Sequence, residues 1–317
     1  ALIYRIARYY YLENLSQNEI AQIEQISRSK VSRLLERARA NGLVNVEIKL
    51  PANPLASTLE KRLQEELGLQ QAIVVPASVS ESTDETEDAL IRDVASVAAV
   101  HLPKMLENAK VIGLGWGRTL YSVPAHLPFM PPDPSKIFVP LVSNLSLRNR
   151  FLQTSNIVSR YGERFDSETY YLNISAVKAP NEPRTESEIL NIRQLEQYWD
   201  SLDVALISLG APPLENTQYL QTMIAPDMFS ARDVDPDARG EMLSQTYFSD
   251  GTFCPIGRNI EVVAFPLDRL RDVPSVICLA AGTYKAEPLL YAARNGFFKT
   301  LITDHLTAQE ILRLLKK

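Results

Sequence analysis

Apolar residues recur at intervals of three and four from residue 1 to 13 and again from 16 to 41, the spacing of amphipathic helices. The second stretch divides around Glu24–Ser27 into two helices. Ile20, Ala21, Ile26, Val31, Leu34 and Leu35 form the inward set that lets them cross, with Ala21 small enough for close approach. The period then shortens. In "GLVNVEIKLP" Val44, Val46 and Ile48 share one face and Asn45, Glu47 and Lys49 the other, which predicts a strand over 44–50. Pro51 and Pro54 break the chain and place a boundary near 51–56. Beyond it Leu59, Leu63 and Leu67 make a helical stripe, expected to pack within its own domain rather than on a second copy.

From residue 72 onward short β-branched runs alternate with helical stretches: "AIVV", "VIGL", "IFVPLV", "VALISL", "IEVVAF", "SVICLAA" and "TLIT". Several are apolar on both faces, as parallel strands are when helices cover each side. The expected fold class is α/β, a doubly wound open sheet with a small helical domain before it. Ligands of such sheets bind outside the carboxyl ends of the strands.

A length of 317 residues with 45% hydrophobic content fits one large core and one smaller one. The net charge is −5, but the first fifty residues carry eight Lys and Arg against five Asp and Glu, so a mildly basic head precedes an acidic body. Cys254 and Cys278 are too few for a disulfide framework and have no zinc spacing, which suits a reducing compartment. His101, His126 and His305 are scattered, so no metal site is expected. No signal-peptide pattern and no apolar run of membrane-spanning length are visible, and the expected location is cytoplasmic, away from membranes.

Ser27 can cap the second helix of the split pair, whose outward face then presents Arg28, Ser29, Lys30, Ser32 and Arg33. Arg and Lys donate to guanine and phosphate, and short hydroxyls approach the backbone closely, so this face suits a DNA major groove. With Gln17 from the preceding helix, these residues with Ser27 form the candidate DNA-binding set. A solvated basic face is the plain alternative. Gln25 stands where many such motifs carry glycine, and the 44–50 strand is read as part of a small wing whose Glu47 disfavours phosphate contact there.

In "VIGLGWGRTL" Gly113, Gly115 and Gly117 follow a buried run and allow a tight turn whose amides point at a ligand; Trp116, Arg118 and Thr119 complete the candidate set. The spacing is neither a dinucleotide fingerprint nor a P-loop, and no cofactor is implied. Loops "PLVSN", "LGAPP" and "AAGTYK" leave the same sheet edge, and Asp304 ends the last strand. Lys285 is thereby placed to meet an anion. Asp304 has two readings, acceptor from sugar hydroxyls or cap of the helix that follows. No nucleophile elbow or paired carboxylate marks an enzyme; the strongest catalytic alternative is a sugar-phosphate isomerase with Glu241 or Asp304 shuttling a proton.

The segments "LSQNEIAQIEQISRSKVSRLLERARANGLVNVEI", "VIGLGWGRTL", "YWDSLDVALISLGAP", "ARGEMLSQTYFSDGTFCP" and "AAGTYKAEPLLYAARNGFFKTLITDHLTAQEIL" together resemble the SorC family of sugar-responsive bacterial transcriptional regulators. The resemblance implies a helix-turn-helix, winged-helix-like DNA-binding domain over 1–52. It also implies a Rossmann-like effector and oligomerisation domain over 53–317, related to the sugar-phosphate isomerase and deaminase fold without the activity. A homotetramer on operator DNA beside carbohydrate-catabolic genes follows, with a sugar or sugar phosphate as effector. Carried onto this chain, the glycine turn through Thr119 and Lys285 would hold a phosphate end, while Glu241 and Asp304 would lie near sugar hydroxyls. Glu241 enters through the resemblance alone, since its local spacing reads as the surface of an amphipathic helix. Two departures stand out: "LVSN" at 141–144 replaces a Gly-Gly pair common in the family, and Ala281 replaces the first glycine of a "GG" before Lys285.

Overall fold

Three helices, α1 (Leu2–Tyr11), α2 (Gln17–Ile23) and α3 (Arg28–Ala40), build the N-terminal part. The computed structural model describes residues 2–44, 54–144, 153–172, 174, 177–178, 183–210, 235–255 and 261–316, so the strand read over 44–50 lies outside the described residues from 45 onward. Ser16 opens α2 through a capping box: its hydroxyl accepts from the Glu19 amide at 3.3 Å, and the Glu19 carboxylate accepts from the Ser16 amide at 2.8 Å. Ser27 opens α3 by accepting from the Lys30 amide. Ile6, Ile20, Val31 and Leu35 form a closed core with Ala21, Ile26 and Leu34 packed against it, the whole inward set read from the spacing together with one residue of α1. Arg5 of α1 donates two hydrogen bonds to Glu24 at the end of α2, at 2.9 and 2.8 Å.

Between α2 and α3 the backbone passes through a left-handed residue, Gln25, at φ 51°. A side chain there crowds the following carbonyl, a strain that glycine lacks. Gln25→Gly is expected to stabilise the helical part by roughly 0.5–1 kcal/mol, net of the extra entropy glycine gives the unfolded chain. Urea denaturation checks this: the midpoint should rise with the slope unchanged, and a fall would mean that the side chain itself holds the turn.

Two compact units emerge, Ala1–Ala52 with Leu127–Pro131, and Asn53–His126 with Pro132–Lys317. The second is mixed α/β. Its main sheet holds β1 (Gln71–Val75), β2 (Val111–Leu114), β3 (Ile137–Pro140), β4 (Glu168–Thr169), β6 (Val204–Ile207), β11 (Ser275–Ala280) and β12 (Thr300–Asp304). Their order is β1-β12-β11-β6-β2-β3-β4, with every pairing parallel. Helices α4 (Pro54–Leu67), α5 (Glu87–Met105), α6 (Arg118–Ser122), α7 (Thr154–Phe165), α8 (Glu186–Trp199), α9 (Ala286–Arg294) and α10 (His305–Leu314) complete the unit. Leu59, Leu63 and Leu67 of α4 join Val74, Cys278, Leu301 and Ile311 in one buried cluster, so the leucine stripe does pack within its own domain. The intervening residues Ile73, Ile277 and Leu279 are buried as well, and α5 packs against β1, β11 and β12. Both faces of the central strands are thus dry, which explains their unbroken apolar runs.

Two elements depart from the spacing. Among the described residues of "IEVVAF", 261–265, only Glu261–Val262 is a strand, β10, paired antiparallel with β5 (Val177–Lys178) outside the main sheet. The rest runs antiparallel along the continuation of β3, with Ser143 N donating to Val263 O and Phe265 N to Leu141 O. Its side chains Val263 and Phe265 are buried there, which satisfies the apolar pattern without a place in the parallel sheet. The other departure is a three-stranded antiparallel meander, β7 (Gly240–Met242), β8 (Gln245–Tyr247) and β9 (Phe253–Pro255), where a helix surface was expected.

Candidate functional site

On α3 the side chains of Ser27, Arg28, Ser29, Lys30 and Arg33 are exposed, while Ser32 and Gln17 of α2 are half-buried. Ser27 is partly engaged by its cap bond and by the Ser29 hydroxyl at 3.0 Å. The three cations therefore project from one turn and a half of helix whose inner face is locked to Ile20 and Ile6 by Val31 and Leu35.

The second cluster lies at the carboxyl edge of the sheet. Of the glycine turn, Gly113 belongs to β2 itself, where it is buried, and an added Cβ would come within 2.4 Å of Leu141. Leu141, in the 141–144 stretch that departs from the family pattern, fills the space Gly113 leaves. Gly115 donates its amide to Leu206 O at 2.9 Å. The amides of Trp116, Gly117 and Arg118 make no hydrogen bond among the described residues, and Gly117, at φ 136°, holds a conformation only glycine adopts readily. The helix they open, α6, has five residues, so its macrodipole adds little.

Arg118 forms an ion pair with Glu87 and a second, at 3.2 Å, with Asp88, both in the first turn of α5. The Tyr284 hydroxyl also donates to Glu87. Burial works to raise the Glu87 pKa, but the bonds from Arg118 and Tyr284 and the charges of Arg118 and Lys285 outweigh it and leave its carboxyl below the ordinary value. Lys285, next to Tyr284, is 8% exposed, and its ammonium has no hydrogen-bond or ion-pair partner among the described residues. Burial lowers its pKa, opposed by the Glu87 and Asp304 carboxylates and reinforced by Arg118. The ammonium lies 5.4 Å from the centre of the Tyr284 ring.

Asp304 is fully buried at the end of β12 and accepts three bonds: from Gly282 N at 2.9 Å, Thr307 N at 2.9 Å and the Thr307 hydroxyl at 2.7 Å. Of its two readings the structure shows the helix cap, with a further tie to the turn that carries Lys285; both carboxylate oxygens are engaged. In that turn the positive φ, 103°, falls on Gly282, so alanine is accommodated at 281. Glu241 corrects the surface-helix reading outright. It is a β7 residue, 3% exposed, because the meander brings it against Gly210, whose amide donates to Glu241 O at 2.8 Å. Its carboxylate accepts from Ser244 N at 2.6 Å. Burial raises its pKa to about 8, with the Ser244 amide and the Lys285 charge pulling the other way.

Seven buried side-chain polar atoms have no hydrogen-bond partner among the described residues: the Trp116 indole N–H, the hydroxyls of Thr119, Thr154, Ser244 and Thr303, and the Nε of Arg160 and Arg239. Trp116 and Thr119 belong to the turn after β2, Ser244 to the β7–β8 hairpin and Thr303 to the end of β12. That hairpin lies close to the turn, since a Cβ on Gly115 would stand 3.0 Å from Leu243. Orphaned buried groups are rare, and four of these seven lie at or after the ends of strands at the carboxyl edge of the sheet. Glu87, Tyr284, Ser244 and Thr303 had no signal in the sequence: Glu87 reads as an ordinary acid at a helix start, and its partners lie 31 and 197 positions away. Among the described residues no cluster of His, Cys, Asp and Glu could hold a metal, and no helix is long and apolar enough to cross a membrane.

The family described as "Putative sugar-binding domain" matches residues 54–313. The sorbitol operon regulator of Klebsiella pneumoniae is 27% identical, covering 98% of this chain and 98% of its own length. The deoxyribonucleoside regulator of Bacillus subtilis is 23% identical over 96% of this chain and 95% of itself. The crystal structure of the full-length sorbitol operon regulator SorC from Klebsiella pneumoniae superposes with a TM-score of 0.69 at 26% identity, covering 100% of this chain and 98% of that one. The chain belongs to this sugar-binding domain family and to the SorC family that its motifs resemble.

Proposed function

We propose that the chain is a transcriptional regulator of a carbohydrate-catabolic operon, binding operator DNA through its head and a sugar or sugar phosphate at the carboxyl edge of its sheet. The observation that carries this reading is the end-to-end match with a relative named as a sorbitol operon regulator. In this reading residues 1–52 are a winged helix-turn-helix domain with α3 as its recognition helix, and 53–317 are a Rossmann-like effector and oligomerisation domain, assembled as a cytoplasmic homotetramer. Ser27, Arg28, Ser29, Lys30, Ser32, Arg33 and Gln17 meet DNA. Trp116, Gly117, Arg118, Thr119, Glu241 and Lys285 surround the effector, with Gly113, Gly115 and Asp304 shaping the loops that carry them. The chain is not an enzyme: its relatives are named as regulators, and Asp304, one of the two candidate proton shuttles, has both oxygens committed to the fold. The effector works by binding one arrangement of the oligomer better than another, since equal affinity for both would shift nothing.

The test uses DNA selected by the wild-type chain from a random pool. Arg33→Ala and Lys30→Ala should each weaken binding, by roughly 1–3 kcal/mol where a base contact is lost and less where only phosphate is touched. Fluorescence anisotropy at moderate salt measures it, and unchanged affinity in both variants removes α3 from the interface.

A further inference from the structure

We propose that the proline-rich loop Leu127–Pro131 is a strap that couples the glycine turn to α3, and that Phe129, seated on Gly42, is the positioning residue through which DNA binding is felt at that turn. The strap's role rests on the reading of α3 as the recognition helix.

Residues 127–131 are joined at both ends to the second compact unit and yet cluster with the first. Phe129 makes a defined contact there. A Cβ placed on Gly42 would stand 2.0 Å from Cγ of the Phe129 ring, so the ring covers a spot that only a residue without a side chain leaves open. That spot is the end of α3. Gly42 follows the Asn41 cap, lies at φ 66° and donates its amide to Arg39 O at 3.0 Å, while Val44 N donates to Ala38 O at 3.2 Å. Glycine is therefore required twice over, by the left-handed turn that stops the helix and by the ring that rests on it. Phe129 remains 53% exposed, so the contact can form and break without opening a core.

The other end of the strap reaches the glycine turn through a short, stiff stretch. Phe129 stands twelve residues after Gly117, and α6 and a 3-10 turn over Val123–Ala125 occupy most of that interval. Tyr121 N donates to Gly117 O and His126 N to Val123 O, both at 2.9 Å, and Leu120, Val123 and Leu127 are buried. Arg118 anchors the start of this stretch on Glu87 and Asp88. Pro124, Pro128, Pro131 and Pro132 fix φ along it, and no glycine lies between Arg118 and Pro134. A glycine- and serine-rich loop would absorb a shift of the turn; this one passes it on.

Coupling between two sites is reciprocal, so DNA alone can report it. The experiment is hydrogen exchange followed by mass spectrometry on the full chain, with and without saturating DNA selected by the wild-type chain from a random pool. In wild type, DNA should protect α3 and also slow exchange at the Tyr121 and His126 amides by about threefold or more. In Phe129→Ala, DNA should still protect α3 while Tyr121 and His126 exchange at their DNA-free rates. Phe129→Leu, which keeps an apolar contact, should restore at least about half of the effect. A wild-type chain whose Tyr121 and His126 amides ignore bound DNA overturns the proposal, and so does a response that survives in Phe129→Ala. Loss of all DNA binding in both variants makes Phe129 a core residue of the head and overturns its transmitting role. Wild-type DNA binding that leaves α3 unprotected overturns the recognition-helix reading instead, and the proposal with it.

Discussion

Lys285→Ala is expected to weaken effector binding about 100-fold while leaving operator affinity within about twofold of wild type, the loss corresponding to one strong hydrogen bond from a charged donor. The ammonium is buried on the turn after β11 and meets no partner among the described residues, so a ligand atom placed there gains a bond that does not compete with an internal one. Truncation leaves no protein acceptor orphaned. It also removes a cation that burial destabilises, so the melting temperature of the ligand-free variant should hold or rise. The basic helix belongs to the other compact unit and keeps its surface. Titration of a stabilising sugar by calorimetry, beside anisotropy on selected DNA, reads both quantities. Lost DNA binding with full effector response would contradict the division of labour between the units.

Asp304→Ala is expected to cost about 3 kcal/mol of stability, or roughly 6–12 °C in the melting temperature of a unit this size. The substitution removes the α10 cap and strands the buried amide of Gly282 together with the Thr307 amide and hydroxyl. The Gly282–Lys285 turn loses its tie to β12 at the same time, so sugar affinity should fall along with Tm. Asp304→Asn keeps one acceptor oxygen and should recover part of both losses in proportion. A variant that melts like wild type but no longer binds sugar would restore Asp304 to direct contact with the ligand.

The difference between what spacing predicts and what the fold does is local in origin. The stripe of Leu59, Leu63 and Leu67, the strands at "AIVV", "VIGL", "IFVPLV", "VALISL", "SVICLAA" and "TLIT" and the Ser27 cap are set by neighbours within a few residues, and all are present, whereas "IEVVAF" is not in the main sheet. The β7–β8 hairpin is different. Its turn residues Leu243 and Ser244 both lie at positive φ, 52° and 61°, a geometry that sequences usually announce with Asn-Gly. Leucine and serine give no such notice, so Glu241 reads as helical surface although the hairpin buries it. The turn is held by the bond from Ser244 N to the Glu241 carboxylate and by burial of Leu243, contacts no local pattern encodes. The cluster of Glu87, Arg118 and Tyr284 was hidden for a related reason. Its members come from three loops that only the sheet order brings together, and each alone is a common surface residue.

That order places the beginning of the sheet beside its end: among the described strands β1 pairs with β12 alone. During synthesis the stretch "QAIVV" therefore emerges from the ribosome more than two hundred residues before the strand it pairs with exists. At about 5–20 residues per second this leaves its edge unpaired for roughly 10–45 s. A product truncated before Thr300 keeps that edge unpaired for good, so it is expected to aggregate rather than act as a partly working sensor.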